Sequence, residues 1–116
     1  MTAAGSIPTT SIHGTWVETV EVIDITDGTP WDWGSIVEAT VYLRWPQSGA
    51  ASIGYNEMAL KYTQGQVVFP APGILQWRAE RDRMATMVSG LYELLVILED
   101  VDDVVPIVIG TVSIVQ

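Results

Sequence analysis

Apolar and polar residues alternate most regularly between Val37 and Trp45. One parity carries Val37, Ala39, Val41, Leu43 and Trp45, and the other carries Glu38, Thr40, Tyr42 and Arg44. Because side chains of a β-strand point alternately to its two faces, this pattern predicts a strand with one buried face and one solvated face. Glu57 to Tyr62 alternates in the same way and predicts a second strand, with Met58, Leu60 and Tyr62 on its buried face.

Two further segments are rich in strand-forming residues. Thr15 to Ile25 contains Val, Ile, Thr and Trp, but its apolar residues are divided between both parities. A β-bulge or burial on both faces would explain that division. Gln66 to Phe69 predicts a short return strand that Pro70, Pro72 and Gly73 terminate. Turns are expected at Asp27-Gly28 and Gln64-Gly65, where glycine tolerates a positive φ.

The late part of the chain predicts a long hairpin. Leu91 to Leu98 and Val104 to Val115 are the two strands, and the acidic segment from Glu99 to Asp103 joins them. Both strands are apolar on both parities for part of their length, unlike an antiparallel strand with one wet face. They are therefore expected either to be central strands under a second layer or to present their outer face to a partner.

Only Gln76 to Val88 is a candidate helix. Trp77, Met84 and Val88 are spaced to share one helical face, and at most two or three turns are expected. Three of the five cationic residues, Arg78, Arg81 and Arg83, lie in this segment, interleaved with Glu80 and Asp82. They form either a solvated face or a basic spot that meets an acidic patch on another copy of the chain.

These elements predict an all-β fold, an antiparallel immunoglobulin-like sandwich of six to seven strands with one short helix. The sandwich is expected to span residues 12–116 as one domain. The small, Thr-rich segment from Met1 to Ser11 predicts an N-terminal arm. It is either a loose terminus or a segment that orders on a neighbouring molecule.

Composition adds an acidic and apolar character. The 116 residues include 5 basic and 14 acidic residues, for a net charge of −9, and 48% are hydrophobic. Contact with nucleic acid or an anionic membrane is therefore not expected. The charged fraction of 16% is below the usual value of about 25%, which suggests that partners cover part of the surface.

The sequence shows no secretory signal pattern, and the uncharged run from Val104 to Gln116 is too short for a membrane helix. Cysteine is absent, so no disulfide or thiolate site is expected.

Candidate chemistry is sparse. His13 is the only histidine, which excludes a zinc site built from several histidines and gives no basis for a Ser-His-Asp triad. Asp100, Asp102 and Asp103 crowd one turn and are either a soluble hairpin tip or, less simply, oxygen ligands for calcium. No catalytic residue, resident metal or cofactor is predicted.

Trp31, Asp32 and Trp33 follow the turn at Asp27-Gly28. The two indoles could plug one end of the sandwich, anchor a protein interface, or stack on a sugar whose hydroxyls Asp32 would bind.

The order of these motifs carries a resemblance. The segment Asp27-Gly28-Thr29-Pro30-Trp31-Asp32-Trp33 precedes the alternating strand that ends at Trp45. After that strand come Gly65-Gln66-Val67-Val68-Phe69, Gly90-Leu91-Tyr92-Glu93-Leu94 and Ile109-Gly110-Thr111-Val112. The arrangement resembles the small immunoglobulin-like domains of tailed-bacteriophage virion proteins, especially tail and baseplate proteins.

The resemblance implies a non-enzymatic structural protein of a phage particle. Such a protein would be made in the host cytoplasm, reside in the virion, and assemble with other virion proteins and with copies of itself. The expected contact residues are Trp31, Asp32, Trp33, Arg78, Arg81, Arg83 and the first eleven residues. A glycan- or host-receptor-binding module and a capsid decoration protein are the alternatives.

Overall fold

The computed structural model of the chain describes residues 2–4, 10–11, 14–44 and 57–115. Nine strands, one 3₁₀ turn and one short helix lie in these ranges. The strands are β1 (Thr2–Ala4), β2 (Thr10–Ser11), β3 (Trp16–Ile23), β4 (Ile36–Arg44), β5 (Glu57–Lys61), β6 (Val67–Ala71), β7 (Ile74–Ala79), β8 (Gly90–Asp100) and β9 (Val104–Val115). The 3₁₀ turn spans Tyr62–Gln64, and helix α1 spans Arg81–Met84.

The strands form two sheets that enclose the core between them. The four-stranded sheet has the order β1-β3-β7-β6, and the five-stranded sheet has the order β2-β9-β8-β4-β5. All neighbours are antiparallel except β2 and β9, which are parallel. Strands β1-β3-β7-β6 correspond to A-B-E-D, and β9-β8-β4-β5 correspond to G-F-C-C′, of an immunoglobulin-like sandwich, so the predicted fold class is confirmed. The short strand β2 is an addition at the edge next to β9.

Tyr92 at the start of β8 provides a second hallmark of that fold. Its ring is fully buried, and its hydroxyl donates a hydrogen bond of 2.5 Å to the carbonyl oxygen of Val88, four residues upstream. A tyrosine that ties the start of strand F to the preceding corner in this way is characteristic of immunoglobulin-like domains. Burial also raises the pKa of this phenol.

Two described pieces of the predicted N-terminal arm lie in the sheets. Thr2–Ala4 pairs with β3, and Thr10–Ser11 pairs with β9. The arm therefore contributes an edge strand to each sheet in its described parts.

The core is built from the inward parity of the longer strands. Ala39, Val41 and Leu43 of β4 are fully buried, as the alternation predicts. The inward face of β8, from Tyr92 to Leu98, is buried in the same way. Opposite them, the indole ring of Trp16 on β3 packs edge-on against that of Trp77 on β7, with centroids 5.5 Å apart.

The prediction for β3 was wrong in its explanation of the divided parity. β3 pairs with β7 without a register shift, and only Trp16, Val20 and Val22 are buried. Val17 is 44% exposed, and Ile25, just beyond the strand, is 63% exposed. The strand therefore has one buried face, and its second set of apolar residues points outward.

Val37 also differs from its predicted position on the buried face. The register between β4 and β8 shifts between Ile36 and Glu38, so Val37 lies at an irregularity of the strand and is 53% exposed. Ile36 packs against the core instead. A bulge changes the side on which the following residues point, and the alternation alone does not reveal it.

The helix predicted from Gln76 is wrong for its first half. Residues Ile74–Ala79 form β7, and helix α1 is a single turn. Leu75, Trp77 and Ala79 are buried on alternate positions, a period of two. Burial of Trp77 between the sheets therefore outweighs its match to a helical spacing with Met84.

Two smaller boundaries also move. Pro70 does not end the return strand, because β6 continues to Ala71 at the edge of its sheet, where a missing N–H is tolerated. Tyr62 is 42% exposed in the 3₁₀ turn rather than on the buried face of β5. Gly28 and Gly65 adopt φ values of +73° and +77°, which confirms both predicted turns.

Candidate functional site

The loop that connects β3 to β4 is fixed by hydrogen bonds of its own. The carboxylate of Asp24 accepts a bond of 2.9 Å from the amide of Thr26. Asp27 Oδ1 accepts bonds from the hydroxyl and the amide of Thr29, at 2.6 and 3.1 Å. The Thr29 side-chain hydrogen bond is the main reason that the pKa of Asp27 lies below its usual value.

Trp31 lies where this loop meets the turn between β6 and β7. Its amide donates to the carbonyl of Val22 at 3.0 Å, and its carbonyl accepts from the amide of Gly73 at 2.9 Å. The half-buried side chain packs against the core and also lines a shallow pocket of about 230 Å³. The other residues that line the pocket are Asp24, Thr29, Pro30, Asp32 and Ser35.

Asp32 is exposed beside Trp31, and its carboxylate accepts a bond of 2.9 Å from the amide of Gly34. The pocket therefore combines an indole with two carboxylates and two hydroxyl-bearing side chains. Such a set suits a small polar ligand with a flat apolar face.

Trp33 has a different environment from Trp31. Its ring stacks on Phe69 with centroids 4.3 Å apart and an interplanar angle of 16°, and its indole N–H donates to the carbonyl of Ala71 at 3.1 Å. Tyr62 in turn contacts Phe69, with centroids 4.8 Å apart. Trp33 therefore anchors the start of β4 to β6.

Local sequence does not predict this aromatic set. Phe69 is 36 positions beyond Trp33, and neither residue belongs to a motif that would join them.

Arg78, Arg81 and Arg83 do not share one environment. The Arg78 guanidinium forms an ion pair of 2.6 Å with Glu80, which raises the pKa of Arg78. Arg83 donates a bond of 2.7 Å from Nη2 to the carbonyl of Ala59 on β5, and it lines a cleft of about 480 Å³ between β5 and the α1 region. Arg81 is exposed. Two of the three arginines are thus engaged within the chain.

Apolar side chains also lie on the outer face of the five-stranded sheet, which we define by Leu91, Leu95, Ile97 and Val104. Strand register places Leu95 beside Tyr42 and Ile97 beside Thr40. Leu91 and Val104 are 51% and 55% exposed, Ile97 is half-buried and Leu95 is 7% exposed. The outward face of the late hairpin thus carries these apolar side chains together with Glu93 and Glu99, which share their parity.

Polar pairs border this outer face. Arg44 forms an ion pair of 2.6 Å with Glu93 across β4 and β8. The Tyr42 hydroxyl donates to the Glu57 carboxylate, and this hydrogen bond is the main cause of the raised pKa of Tyr42. The border is therefore polar, and it combines one ion pair with one hydrogen bond to a carboxylate.

The acidic turn between β8 and β9 is stabilised by its own carboxylates. Asp100 Oδ1 accepts bonds of 2.8 Å from the amides of Asp102 and Asp103, and Asp103 Oδ1 accepts one of 2.9 Å from Val104. In the described ranges, no group of three or more Asp, Glu, His or Cys side chains is placed to hold a metal ion. The carboxylates of Asp100 and Asp103 therefore cap the turn. His13 lies outside the described residues.

Within the described part of the chain, no helix is long and apolar enough to cross a membrane. Comparisons of the chain with family models and with curated proteins found no match.

Proposed function

We propose that this chain is a non-catalytic structural protein of a bacteriophage particle, in the tail or baseplate, and that it works through assembly contacts. The apolar outer face of the five-stranded sheet is the observation that carries the assembly role. Leu91 and Val104 expose about half of their surface there, in a chain whose charged fraction is only 16%. A partner that covers this face would remove both side chains from water.

The phage assignment is supported by the order of sequence motifs together with the immunoglobulin-like topology. The segment from Asp27 to Trp33 lies in the hydrogen-bonded loop before β4. Tyr92 of the Gly-x-Tyr motif lies at the start of β8. Partners would be other virion proteins and further copies of the chain, and the site of action would be the virion.

Fractionation of phage particles tests the assignment directly. Particles from the source would be purified on a density gradient and separated into tails and capsids, and the chain would be located by mass spectrometry. We expect it in the tail fraction. Recovery with tailless capsids would support a capsid decoration protein, and absence from intact particles would contradict a virion role.

A matched pair of variants tests the surface. Leu91→Glu places a charge on the outer face, whereas Val17→Glu places the same charge on the opposite sheet at a residue of similar exposure, 44% against 51%. We expect Leu91→Glu to reduce incorporation into particles or self-association in sedimentation experiments, and Val17→Glu to have little effect. Equal behaviour of the two variants would contradict the proposed surface.

A glycan-binding module is the second candidate, because the pocket at Trp31 places an indole beside the carboxylates of Asp24 and Asp32. A neutral sugar could stack on the indole and donate hydroxyl hydrogen bonds to the carboxylates. Titration with oligosaccharides would then quench tryptophan fluorescence in a saturable way. Trp31→Ala should abolish that signal, whereas Asp82→Asn, distant from the pocket, should keep it.

A further inference from the structure

Charge is unevenly distributed along the molecule. The loop from β3 to β4, the start of β4 and the turn from β8 to β9 lie at the same end of the sandwich, because Ile36 pairs with Asp100. We call residues 24–38 and 99–104 the acidic end. Lys61, whose charge acts on Glu38, is the one cationic residue of the described ranges that borders it. Eight of the fourteen acidic residues belong to this end: Asp24, Asp27, Asp32, Glu38, Glu99, Asp100, Asp102 and Asp103.

The same end carries the most exposed apolar side chains of the described residues. Val101 is 76% exposed, Ile25 63%, Val104 55% and Val37 53%. The other large apolar residues that are exposed have lower values, between 42% and 51%. The four residues flank the acidic side chains, since Val104 pairs with Glu99, and Val37 lies between the residues that pair with Asp100 and Glu99.

Exposed valines surrounded by carboxylates define the chemistry of a partner. The valines favour a surface with apolar side chains, and the carboxylates favour lysine and arginine. Nucleic acid and anionic lipid would be repelled by eight carboxylates. A second copy that used the same end would be repelled for the same reason.

The remainder of a second copy is also a poor match. Outside the acidic end and Lys61, the chain has four arginines and six acidic residues. Arg44 and Arg78 are already paired with Glu93 and Glu80. Among the described residues, the α1 region has three arginines against two acidic residues, and an excess of one positive charge is a poor match for the eight carboxylates of the acidic end.

We propose that the acidic end is a docking site for a different protein, through a surface that combines lysine or arginine with apolar side chains. Charge complementarity orients the partner and accelerates its approach, and contact with Val101, Val104, Val37 and Ile25 removes apolar area from water. This inference does not depend on the assignment to a virion.

The binding test uses the full chain and a short synthetic peptide in which Lys and Leu alternate, with affinity measured by fluorescence anisotropy at low salt. Peptides of alternating Lys and Ser, and of alternating Glu and Leu, are the controls for charge and for apolar contact. We expect the Lys-Leu peptide to bind more tightly than either control. Equal binding of the Lys-Leu and Lys-Ser peptides would overturn the role of the valines.

Matched variants locate the site. Glu99→Gln combined with Asp102→Asn removes two charges from the acidic end, and Glu80→Gln combined with Asp82→Asn removes two from the α1 region. We expect the first pair to weaken binding about three- to tenfold, as for two exposed ion pairs, and the second to change it less than about twofold. Equal losses would show attraction by net charge alone and would overturn the proposal.

Two further measurements keep the test independent of folding defects. In NMR spectra of the wild-type chain, the Lys-Leu peptide should shift signals of residues 24–38 and 99–104, and shifts spread over the whole surface would contradict the site. Val101→Ser should weaken binding more than Val17→Ser does.

Self-association that the acidic-end variants abolish would identify a second copy as the occupant and would overturn the proposal.

Discussion

At the scale of single residues, Gly73 is fixed by two independent constraints. Its φ is +74°, and a β-carbon at this position would lie 2.8 Å from Cβ of Pro30 and 3.0 Å from the carbonyl oxygen of Val22. Its amide and carbonyl also bond to Trp31 and Val22. Gly73 therefore lies where the β6–β7 turn, β3 and the loop at Trp31 are in close contact.

Gly73→Ala should destabilise the fold through both constraints. We expect a loss of about 2–5 kcal/mol in the free energy of unfolding, measured with urea, from left-handed strain plus the steric clash. Gly65→Ala is the matched control, because Gly65 has a φ of +77° but a β-carbon added there would meet no atom within 4 Å. It should lose only about 1 kcal/mol, and equal losses would show that the clash with Pro30 is unimportant.

Tyr92 gives a second prediction at this scale. Tyr92→Phe keeps the buried ring but removes the hydrogen bond to the carbonyl of Val88. Loss of that bond should lower the free energy of unfolding by about 1–2 kcal/mol. Tyr62→Phe, at a residue 42% exposed, should have almost no effect. If thermal unfolding midpoints fell equally in both variants, the corner contact would not be a source of stability.

At the scale of elements, the sequence predicted those strands whose alternation agrees with their burial. β4 from Ala39 onward and the inward face of β8 are of this kind, because each has one face in the core and a period of two. β7 was missed because its inward residues Leu75, Trp77 and Ala79 directly precede a true helical turn. Trp77 fits both the strand period of two and a helical spacing to Met84. The bulge at Val37 depends on pairing with β8, which local sequence does not contain.

The candidate site was predictable to a smaller extent. The motif from Trp31 to Trp33 identified a loop where two indoles meet the core, but their different environments depend on Phe69 and Gly73, which are distant in sequence. The acidic end could not be recognised from single motifs either. It is formed when strand pairing brings the loop after β3 next to the turn after β8.

A prediction at the element scale concerns the contact between β4 and the 3₁₀ turn. Glu38 accepts hydrogen bonds from the Thr63 amide, at 3.1 Å, and from the Thr63 hydroxyl. Burial by itself raises the pKa of Glu38, but the bonds from Thr63 and Ala39 and the charge of Lys61 outweigh it, so the pKa is lowered from 4.5. A lowered pKa in the folded state stabilises the fold above the unfolded value, and this stability is lost as pH falls through the folded value.

Glu38→Gln should therefore lower the free energy of unfolding at pH 7, by about 0.5–1 kcal/mol, and the difference from wild type should shrink as the pH falls below the ordinary value of 4.5. Urea unfolding at neutral and acidic pH measures this. Glu99→Gln is the control, since it removes the like charge directly opposite Glu38 and should leave stability at pH 7 unchanged or slightly raised. A pH-independent loss in Glu38→Gln would contradict the role of the carboxylate charge.

At the scale of the whole molecule, the acidic end sets a conflict between stability and binding. Eight carboxylates concentrated there repel one another when the chain is alone, whereas a cationic partner would relieve the repulsion. Exposed valines in the same region add apolar area that the isolated chain leaves in contact with water. Both features are consistent with a surface that is completed by another protein. They separate this end from the α1 region, where three arginines are interleaved with two acidic residues.

Because carboxylates at the acidic end repel one another, reversing one of these charges should stabilise the isolated chain. Asp102 is exposed in the β8–β9 turn, and its amide rather than its carboxylate bonds to Asp100. Asp102→Lys should therefore raise Tm by about 1–3 °C at low salt, because it replaces repulsion with attraction without removing a turn cap. The gain should disappear near 1 M salt, where the screening length falls to about 3 Å. Asp82→Lys, beside Arg81 and Arg83, should lower Tm or leave it unchanged. A salt-independent gain from Asp102→Lys, or an equal gain from Asp82→Lys, would show that clustered charge at the acidic end does not destabilise the fold.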